Sequence, residues 1–305
     1  MQRGQIHMKT GFISIVGRAN VGKSTLLNAI IGEKVAIVSS KPQTTRSKII
    51  GIYNDNDIQL VFVDTPGLHI PKNKLGQHMI RQANDAMDGV DAILLVVEPR
   101  SAGRTELSLI EKFKTLHVPV ILVINKIDKV KKADVAKAIE NYAGLYDFAS
   151  VIPMSALRKD GVQIVLDELL PLIKGDGICY YPNDIATSQT IRQMASEIVR
   201  EKILCDMYDE IPHGVAVEIE SFREQRTKSG EVITSISVAI VCERAAHKGM
   251  IIGKQGKMLK KMAAEARRDL EELIGTKVYL ECFVKVKEGW RDNERMISQL
   301  QLYDE

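Results

Sequence analysis

The chain has 305 residues, of which 45% are hydrophobic and 27% charged. That balance is globular and excludes disordered and fibrous architectures, and the length predicts two domains. Forty-two Lys and Arg stand against 39 Asp and Glu, a net charge of +3, so any basic surface must be local.

The four cysteines, at 179, 205, 242 and 282, lie far apart with no C-x-x-C pair. Zinc and disulfide frameworks are therefore not expected, and reduced, buried thiols are. The first residues, MQRGQIHMKTG, lack an apolar core of signal-peptide length. The longest apolar runs, such as AILLVV at 92–97, fall well short of the roughly twenty residues of a membrane-spanning helix. A soluble protein is expected.

Up to about residue 170 short apolar runs alternate with helical patterns. FISIVG (12–17), IQLVFVD (58–64), AILLVVE (92–98), VILVIN (120–125) and VIPMS (151–155) are apolar on both faces, as buried parallel strands are. KIIGIYN (48–54) precedes the second run and predicts a hairpin around Asp55-Asn56-Asp57. Helices are expected near 22–31, 74–88, 104–116, 132–146 and 161–170. This alternation predicts an α/β domain with a mostly parallel, doubly wound sheet. Pro171, Gly175, Gly177 and Pro182 then mark a break. The expected division is a nucleotide-binding domain over 1–174, a linker over 175–189 and a second domain over 190–305.

The second domain reads α-β-β-α-α-β, an α+β order. Residues 190–204 predict a helix with Ile191, Met194, Ala195 and Ile198 on one face. Strands follow at 215–221 and 231–242, then a helix–Gly-rich turn–helix over 245–274 and a last strand at 277–286. The second helix of the pair carries a stripe of Leu259, Met262, Ala263, Ala266, Leu270 and Leu273.

GRANVGKS at 17–24 matches G-x-x-x-x-G-K-[ST] between a strand and a helix. Glycines let the backbone wrap phosphates, and loop N–H groups and the helix N-terminus supply positive potential. Lys23 is expected on the β- and γ-phosphates and the Ser24 hydroxyl on Mg²⁺. The candidate phosphate-binding set is Gly17, Asn20, Val21, Gly22, Lys23, Ser24, Thr25 and Gly67, the last from DTPG at 64–67. Asp64 of that motif is placed to hold a water on Mg²⁺. NKID at 125–128 selects the base, because the Asp128 carboxylate can accept from N1–H and the 2-amino group of guanine, and adenine has neither donor. Asn125 and Lys126 would fix and cover the ring, and the backbone of Ser155, Ala156 and Leu157 would meet O6. Together these motifs predict a GTP site at the carboxyl ends of the strands.

With GRANVGKST, KPQTTR (41–46), DTPGLHIPKNKLG (64–76), NKID, YYPND (180–184) and VKVKEGWRDN (284–293), the sequence resembles the Era family of bacterial ribosome-assembly GTPases along nearly its whole length. The usual family phosphate loop has Pro where this chain has Ala19, a side chain that is not a ligand. The resemblance implies a GTPase of slow intrinsic turnover. The residue after DxxG is Leu68, which cannot orient water, so no side-chain base is assigned. Asn20 resembles an asparagine that ligates K⁺ in related GTPases, and K⁺ is the second cation considered beside Mg²⁺. KPQTTRSKI would be the first switch, with Thr45, or in second place Thr44, on Mg²⁺; Leu68 to Leu75 would be the second. No arginine finger is assigned, although Arg18, Arg46 and Arg81 are at hand.

GKQG at 253–256, in its α-β-β-α-α-β setting, is the type II KH pattern, whose loop clamps four nucleotides. From 181 to 305 there are 19 Lys and Arg and 21 Asp and Glu, so the domain as a whole is not basic. From 244 to 268, however, eight cations face the single anion Glu265, as a phosphate-tracking stripe requires. The candidate RNA-binding residues are Arg244, Lys248, Gly253, Lys254, Gln255, Gly256, Lys257 and Lys260, over an apolar floor of Met250, Ile251 and Ile252. Trp290, the only tryptophan, reads as packing rather than as a base platform. The resemblance implies that the target is the 3′ end of 16S rRNA in the small (30S) subunit. The expected setting is the cytoplasm, with peripheral contact to the inner face of the cell membrane left open, and the expected state is a monomer. A signalling GTPase with a protein-binding second domain is the alternative.

Overall fold

The computed structural model describes residues 8–68, 71–175, 177–208, 211–226 and 230–300. The chain divides into two compact units. The first gathers residues up to 36, 45–71 and 76–188; the second gathers 37–44, 72–75 and 189 onward.

The first unit is a six-stranded sheet. Its strands are β1 (Lys9–Val16), β2 (Ile49–Asp55), β3 (Ile58–Asp64), β4 (Ala92–Val97), β5 (Val120–Ile124) and β6 (Ser150–Pro153), in the order β2-β3-β1-β4-β5-β6. Only β2 runs antiparallel, pairing β3 from Asp55 opposite Ile58 to Ile49 opposite Asp64. Asn56 makes that turn in the left-handed region at φ 47°, a conformation Asn tolerates. Every residue of β4 and β5 is buried, and alternate side chains serve opposite faces. Ile13, Ile15, Leu94, Val96, Ile121 and Val123 pack with α1 (Lys23–Ile31) and α5 (Val162–Leu169). Val16, Ile93, Leu95, Val97, Leu122 and Ile124 pack with α3 (Arg104–Leu116) and α4 (Lys132–Ala143). A further helix, α2, spans Lys74–Asp85. Two residues of the second expected switch, His69 and Ile70, lie outside the described residues.

The stretch read as a linker is laid along the open edge of this sheet as far as Ser188. Gln59, fully buried, accepts from the N–H groups of Tyr180 and Tyr181 and donates to the Tyr181 carbonyl. Ile52 N–H reaches the Ala186 carbonyl, and Thr187 Oγ1 donates to the Ile50 carbonyl. These bonds occupy backbone groups that an edge strand otherwise leaves unpaired.

In the second unit α6 (Ile191–Asp206), α7 (Ala245–Ile252) and α8 (Lys257–Ile274) cover one face of a sheet ordered β7-β8-β9. The strands are β7 (Val215–Arg226), β8 (Val232–Cys242) and β9 (Lys277–Val286). β7 pairs β8 antiparallel, and β8 pairs β9 parallel. A short helix, α9 (Glu294–Gln299), follows.

The fold departs from expectation at three points. Ile191 is exposed, because it is the first residue after the Thr190 cap, and the buried face of α6 runs instead through Ala195, Ile198, Val199 and Ile203. Cys179 and Cys205 are exposed, so only Cys242 is a fully buried thiol. Ile251 lies in the core, which leaves Met250 as the exposed part of the expected apolar floor.

Trp290 is fully buried and donates from Nε1 to the Gly214 carbonyl at 3.0 Å. As the only tryptophan it reports the second unit alone. Its emission should be blue-shifted and should move red on unfolding in urea. Trp290→Ala should lower the stability of this unit by about 3–5 kcal/mol, seen as an earlier midpoint by circular dichroism.

Candidate nucleotide site and nucleic-acid interface

The loop between β1 and α1 is shaped by close approaches. A Cβ on Gly17, at φ 149°, would lie 2.3 Å from the Val96 carbonyl oxygen, and one on Gly22, at φ 101°, 2.2 Å from Asn125 Nδ2. Side chains are excluded at both points. Asn20 also sits in the left-handed region, at φ 64°. The loop thus wraps tightly over the N-terminus of α1, whose free N–H groups and dipole suit anions.

Lys23 is buried and donates to the carbonyls of Gly17 and Arg18 at 3.3 and 3.2 Å. Burial lowers its pKa, and the charge of Asp64 opposes that shift. Asp64 ends β3 with no solvent exposure, and burial raises its pKa from 3.8 to about 6 against the pull of Lys23 and of hydrogen bonds from Ser24 and Thr45. Its Oδ2 accepts from Ser24 Oγ at 2.6 Å, and Thr45 Oγ1 lies 2.8 Å from Ser24 Oγ. Asp64 Oδ1 is buried with no hydrogen-bond partner among the described residues. Two hydroxyls and one carboxylate, whose Oδ1 is unpartnered, make a hard, all-oxygen donor set, which fits Mg²⁺. Thr44 is turned elsewhere, with its hydroxyl on Ser39 Oγ and the Lys41 carbonyl.

Gly67 is buried, and a Cβ there would meet the Ala19 Cα at 2.5 Å. Leu68 donates its N–H to the Gly17 carbonyl at 3.3 Å and packs its side chain on the core beneath β4 and β5. Arg46 is buried and Arg18 is ion-paired with Glu98, so neither is a free cation.

Asn125, almost fully buried, joins two loops. It donates to the Val21 carbonyl at 2.9 Å and accepts from the Ala156 N–H at 2.9 Å. Lys126, at φ 67°, donates to the Asn20 carbonyl and, at 2.7 Å, to Glu98. Ser155 donates to Asp128 at 2.6 Å and so holds that carboxyl below the usual carboxylate range. Leu157 is exposed. The predicted base-reading residues are therefore gathered at the ends of β5 and β6, beside the phosphate loop. Glu98 is the participant the motifs did not reveal. It belongs to no motif, and its only sequence signal is a carboxylate directly after a buried strand.

In the second unit, Gly253, Gln255 and Gly256 all have positive φ, at 71°, 54° and 74°. A Cβ on Gly253 would lie 2.6 Å from the Met258 Cβ. The turn therefore needs glycine and presents bare backbone. Of the eight cations around it, Lys261 pairs with Asp206 at 2.7 Å and Arg267 with Glu271 at 3.0 Å. Arg244, Lys248, Lys254, Lys257, Lys260 and Arg268 make no ion pair among the described residues and are exposed. The predicted stripe is two charges smaller than its count.

A family model described as a 50S ribosome-binding GTPase matches residues 12–126, and a KH domain model matches 210–291. The GTPase Era of Clostridium botulinum (strain Kyoto) is 47% identical, with 96% of this chain and 97% of the relative covered. That of Ruminiclostridium cellulolyticum is 44% identical over the same shares. The chain belongs to the Era family of GTPases. Among solved structures, Era in complex with MgGDPNP and nucleotides 1506–1542 of 16S ribosomal RNA superposes with a TM-score of 0.92 at 34% identity, covering 97% of this chain and 99% of the other. A single-residue variant of Aquifex aeolicus Era bound to GDP·AlF4⁻ gives 0.89 at 34%, with the same coverage. The Era fold is thus shared over both units: a P-loop GTPase domain with a mostly parallel sheet, then a KH domain.

The charges of the Era-family site make it testable by titration. In the ligand-free protein, the carboxyl ¹³C resonance of Asp64 should titrate near 6 and that of Asp128 below 3.8. The folded pKa of Asp64 lies above its unfolded value. The folded chain therefore keeps a proton there that the unfolded chain loses, and this group's contribution to stability falls as pH rises from about 4 to about 6. An Asp64 midpoint near the ordinary carboxylate value would contradict the account of its burial. Separately, Asp128→Asn would remove the two charge-assisted hydrogen bonds expected from the sequence between Asp128 and guanine, worth roughly 1.5–3 kcal/mol each. GDP affinity should drop by more than about a hundredfold, while XDP, whose base carries a 2-oxo group, should bind the variant better than GDP in competition titrations.

Proposed function

We propose that this Era-family GTPase is a GTP-switched assembly factor that clamps the 3′ end of 16S rRNA through its KH domain and aids maturation of the small (30S) subunit. One observation carries the RNA reading: six exposed cations, none of them ion-paired among the described residues, lie along the two helices and the glycine turn that joins them. Glycines let the backbone of that turn press on a sugar–phosphate chain, and the cations track phosphates. The relative solved with nucleotides 1506–1542 of 16S rRNA supports the choice of target.

In this reading Gly17, Asn20, Val21, Gly22, Lys23, Ser24, Thr25 and Gly67 hold the phosphates. Asn125, Lys126, Asp128, Ser155, Ala156 and Leu157 hold guanine. Ser24, Thr45 and Asp64 would hold Mg²⁺, which supplies positive charge beside the β- and γ-phosphates. Lys23, desolvated and close to Asp64, presents its ammonium to phosphate at low dielectric, where it counts for most. No side chain at Leu68 accepts a proton or orients water, so intrinsic turnover is slow. Asn20 offers a neutral side-chain oxygen, the kind of donor an alkali cation takes, and hydrolysis should be faster in K⁺ than in Na⁺. Segments 41–49 and 68–75 are the switches, ordered by the γ-phosphate and released after hydrolysis. The protein acts as a cytoplasmic monomer. Among the described residues no helix is long and apolar enough to cross a membrane, and peripheral contact with the inner face of the membrane is the alternative that vesicle flotation decides.

The test is a titration of RNA matching a small-subunit 3′ end, with a scrambled control, against protein loaded with a GTP analogue or with GDP. Selective binding favoured by the analogue is expected. Equal, weak binding to all RNAs would overturn the assembly-factor reading and favour a protein-binding second domain. Lys254→Ala should weaken binding and reduce the slope of log affinity against log salt by just under about one unit.

A further inference from the structure

The base-reading loop and the phosphate loop are joined by a residue outside both. Glu98 follows β4 directly, and its side chain is about one-quarter exposed. Its Oε1 accepts from Lys126 Nζ at 2.7 Å. Its Oε2 lies 3.4 Å from Arg18 Nη2 and 3.2 Å from Arg100 Nη2. Lys126 also donates to the carbonyl of Asn20. One carboxylate therefore holds two cations that belong to the nucleotide site, one from each loop, and through Lys126 it reaches a further point on the phosphate loop.

The geometry points to Glu98 as a positioning residue for guanine-nucleotide binding, acting through Lys126 to set how long the nucleotide stays bound. This rests on the guanine-site reading above. Lysine carries a long, flexible side chain whose rotamer freedom is lost on ordering. Against a lone carbonyl acceptor the ammonium would sample several rotamers. Against Glu98 and the Asn20 carbonyl together it has one place. Lys126 sits in the left-handed region, a strained conformation for lysine that surrounding contacts must maintain. The Glu98–Lys126–Asn20 chain supplies those contacts. Removing the Glu98 charge makes the nucleotide meet the ordering cost at binding, and lost preorganisation appears mainly in the off-rate.

Glu98 does not touch the edge of the base. Guanine is distinguished from hypoxanthine by the 2-amino group that Asp128 is placed to read. Loss of Glu98 should therefore speed release of GDP and IDP by the same factor. A general distortion of the 125–128 loop would instead move Asp128 and change the ratio between them.

The experiment is stopped-flow release of fluorescent GDP and IDP from the full-length protein. Glu98→Gln, of equal size, should raise both off-rates about tenfold and hold their ratio within about twofold. In a Lys126→Met background the same change should add less than about twofold, because its target is gone. Arg100→Ala, which removes a surface ion pair, should alter neither rate by more than about twofold. The proposal is overturned if Glu98→Gln changes the off-rates by less than about twofold. It is also overturned if the GDP-to-IDP ratio shifts, if the effects of Glu98→Gln and Lys126→Met multiply, or if Arg100→Ala reproduces the effect. Failure of the wild type to retain GDP at all would instead sink the guanine-site reading beneath it.

Discussion

Taking a carboxylate out of water costs several kcal/mol unless opposite charge and hydrogen-bond donors surround it, and at Asp64 three separate segments meet to make that arrangement. Lys23 and Ser24 come from the start of α1, Thr45 from the stretch before β2, and the carboxylate itself from the end of β3. None of these segments can shift without uncovering the charge. The compensation is incomplete, since burial still raises the Asp64 pKa to about 6 and Oδ1 lacks a partner among the described residues. A site that leaves part of a buried charge unanswered is one that a cation completes.

The parallel sheet that carries this arrangement was readable because β4 and β5 are buried on both faces. AILLVV and VILVI have no polar position to disguise them. The hairpin of β2 and β3 was marked by Asp55-Asn56-Asp57, and the element order of the second unit by its alternation of periods. The segment from 177 to 188 was not readable. Its Pro and Gly residues say that it forms neither helix nor strand, and nothing local says that Gln59 on a neighbouring strand will hold it. Ile191 was misplaced for a related reason. Helical period identifies a stripe, but it does not say where along the helix burial begins, and Ile191, at the first position after the cap, is exposed. Glu98 stayed hidden because a lone carboxylate after a strand acquires meaning only when Lys126 and Arg18, distant in sequence, arrive beside it.

The second unit makes a parallel point about charge. Its overall balance is slightly acidic, which by itself argues against nucleic acid. What matters is which cations are left over after the fold has used its own. Lys261 and Arg267 are held by Asp206 and Glu271, and Lys202 by Asp269. These pairs tie α6, α8 and the start of β9 together, since Glu271 also accepts from the Val278 N–H. Among the described residues the cations left without an ion pair include Arg192, Arg223, Arg226 and Arg295, but six of them, Arg244, Lys248, Lys254, Lys257, Lys260 and Arg268, fall in the one stretch that contains the glycine turn. Counting charges along the chain locates the stripe, and only the paired geometry separates the charges that build the domain from those that face outward.

Carboxylates serve the first unit in two opposed ways. Asp64 is buried, under-compensated and raised in pKa. Glu98 is partly exposed and faces more positive charge than it carries, with three cations within 3.4 Å. The first arrangement leaves a demand for positive charge at the end of β3. The second consumes positive charge at the end of β4 and, in doing so, immobilises it. Both stand at the carboxyl edge of the same parallel sheet, where strand ends converge and the loops that follow them meet. The sheet thus sets the distance between a point that needs a cation and a point where cations are held still.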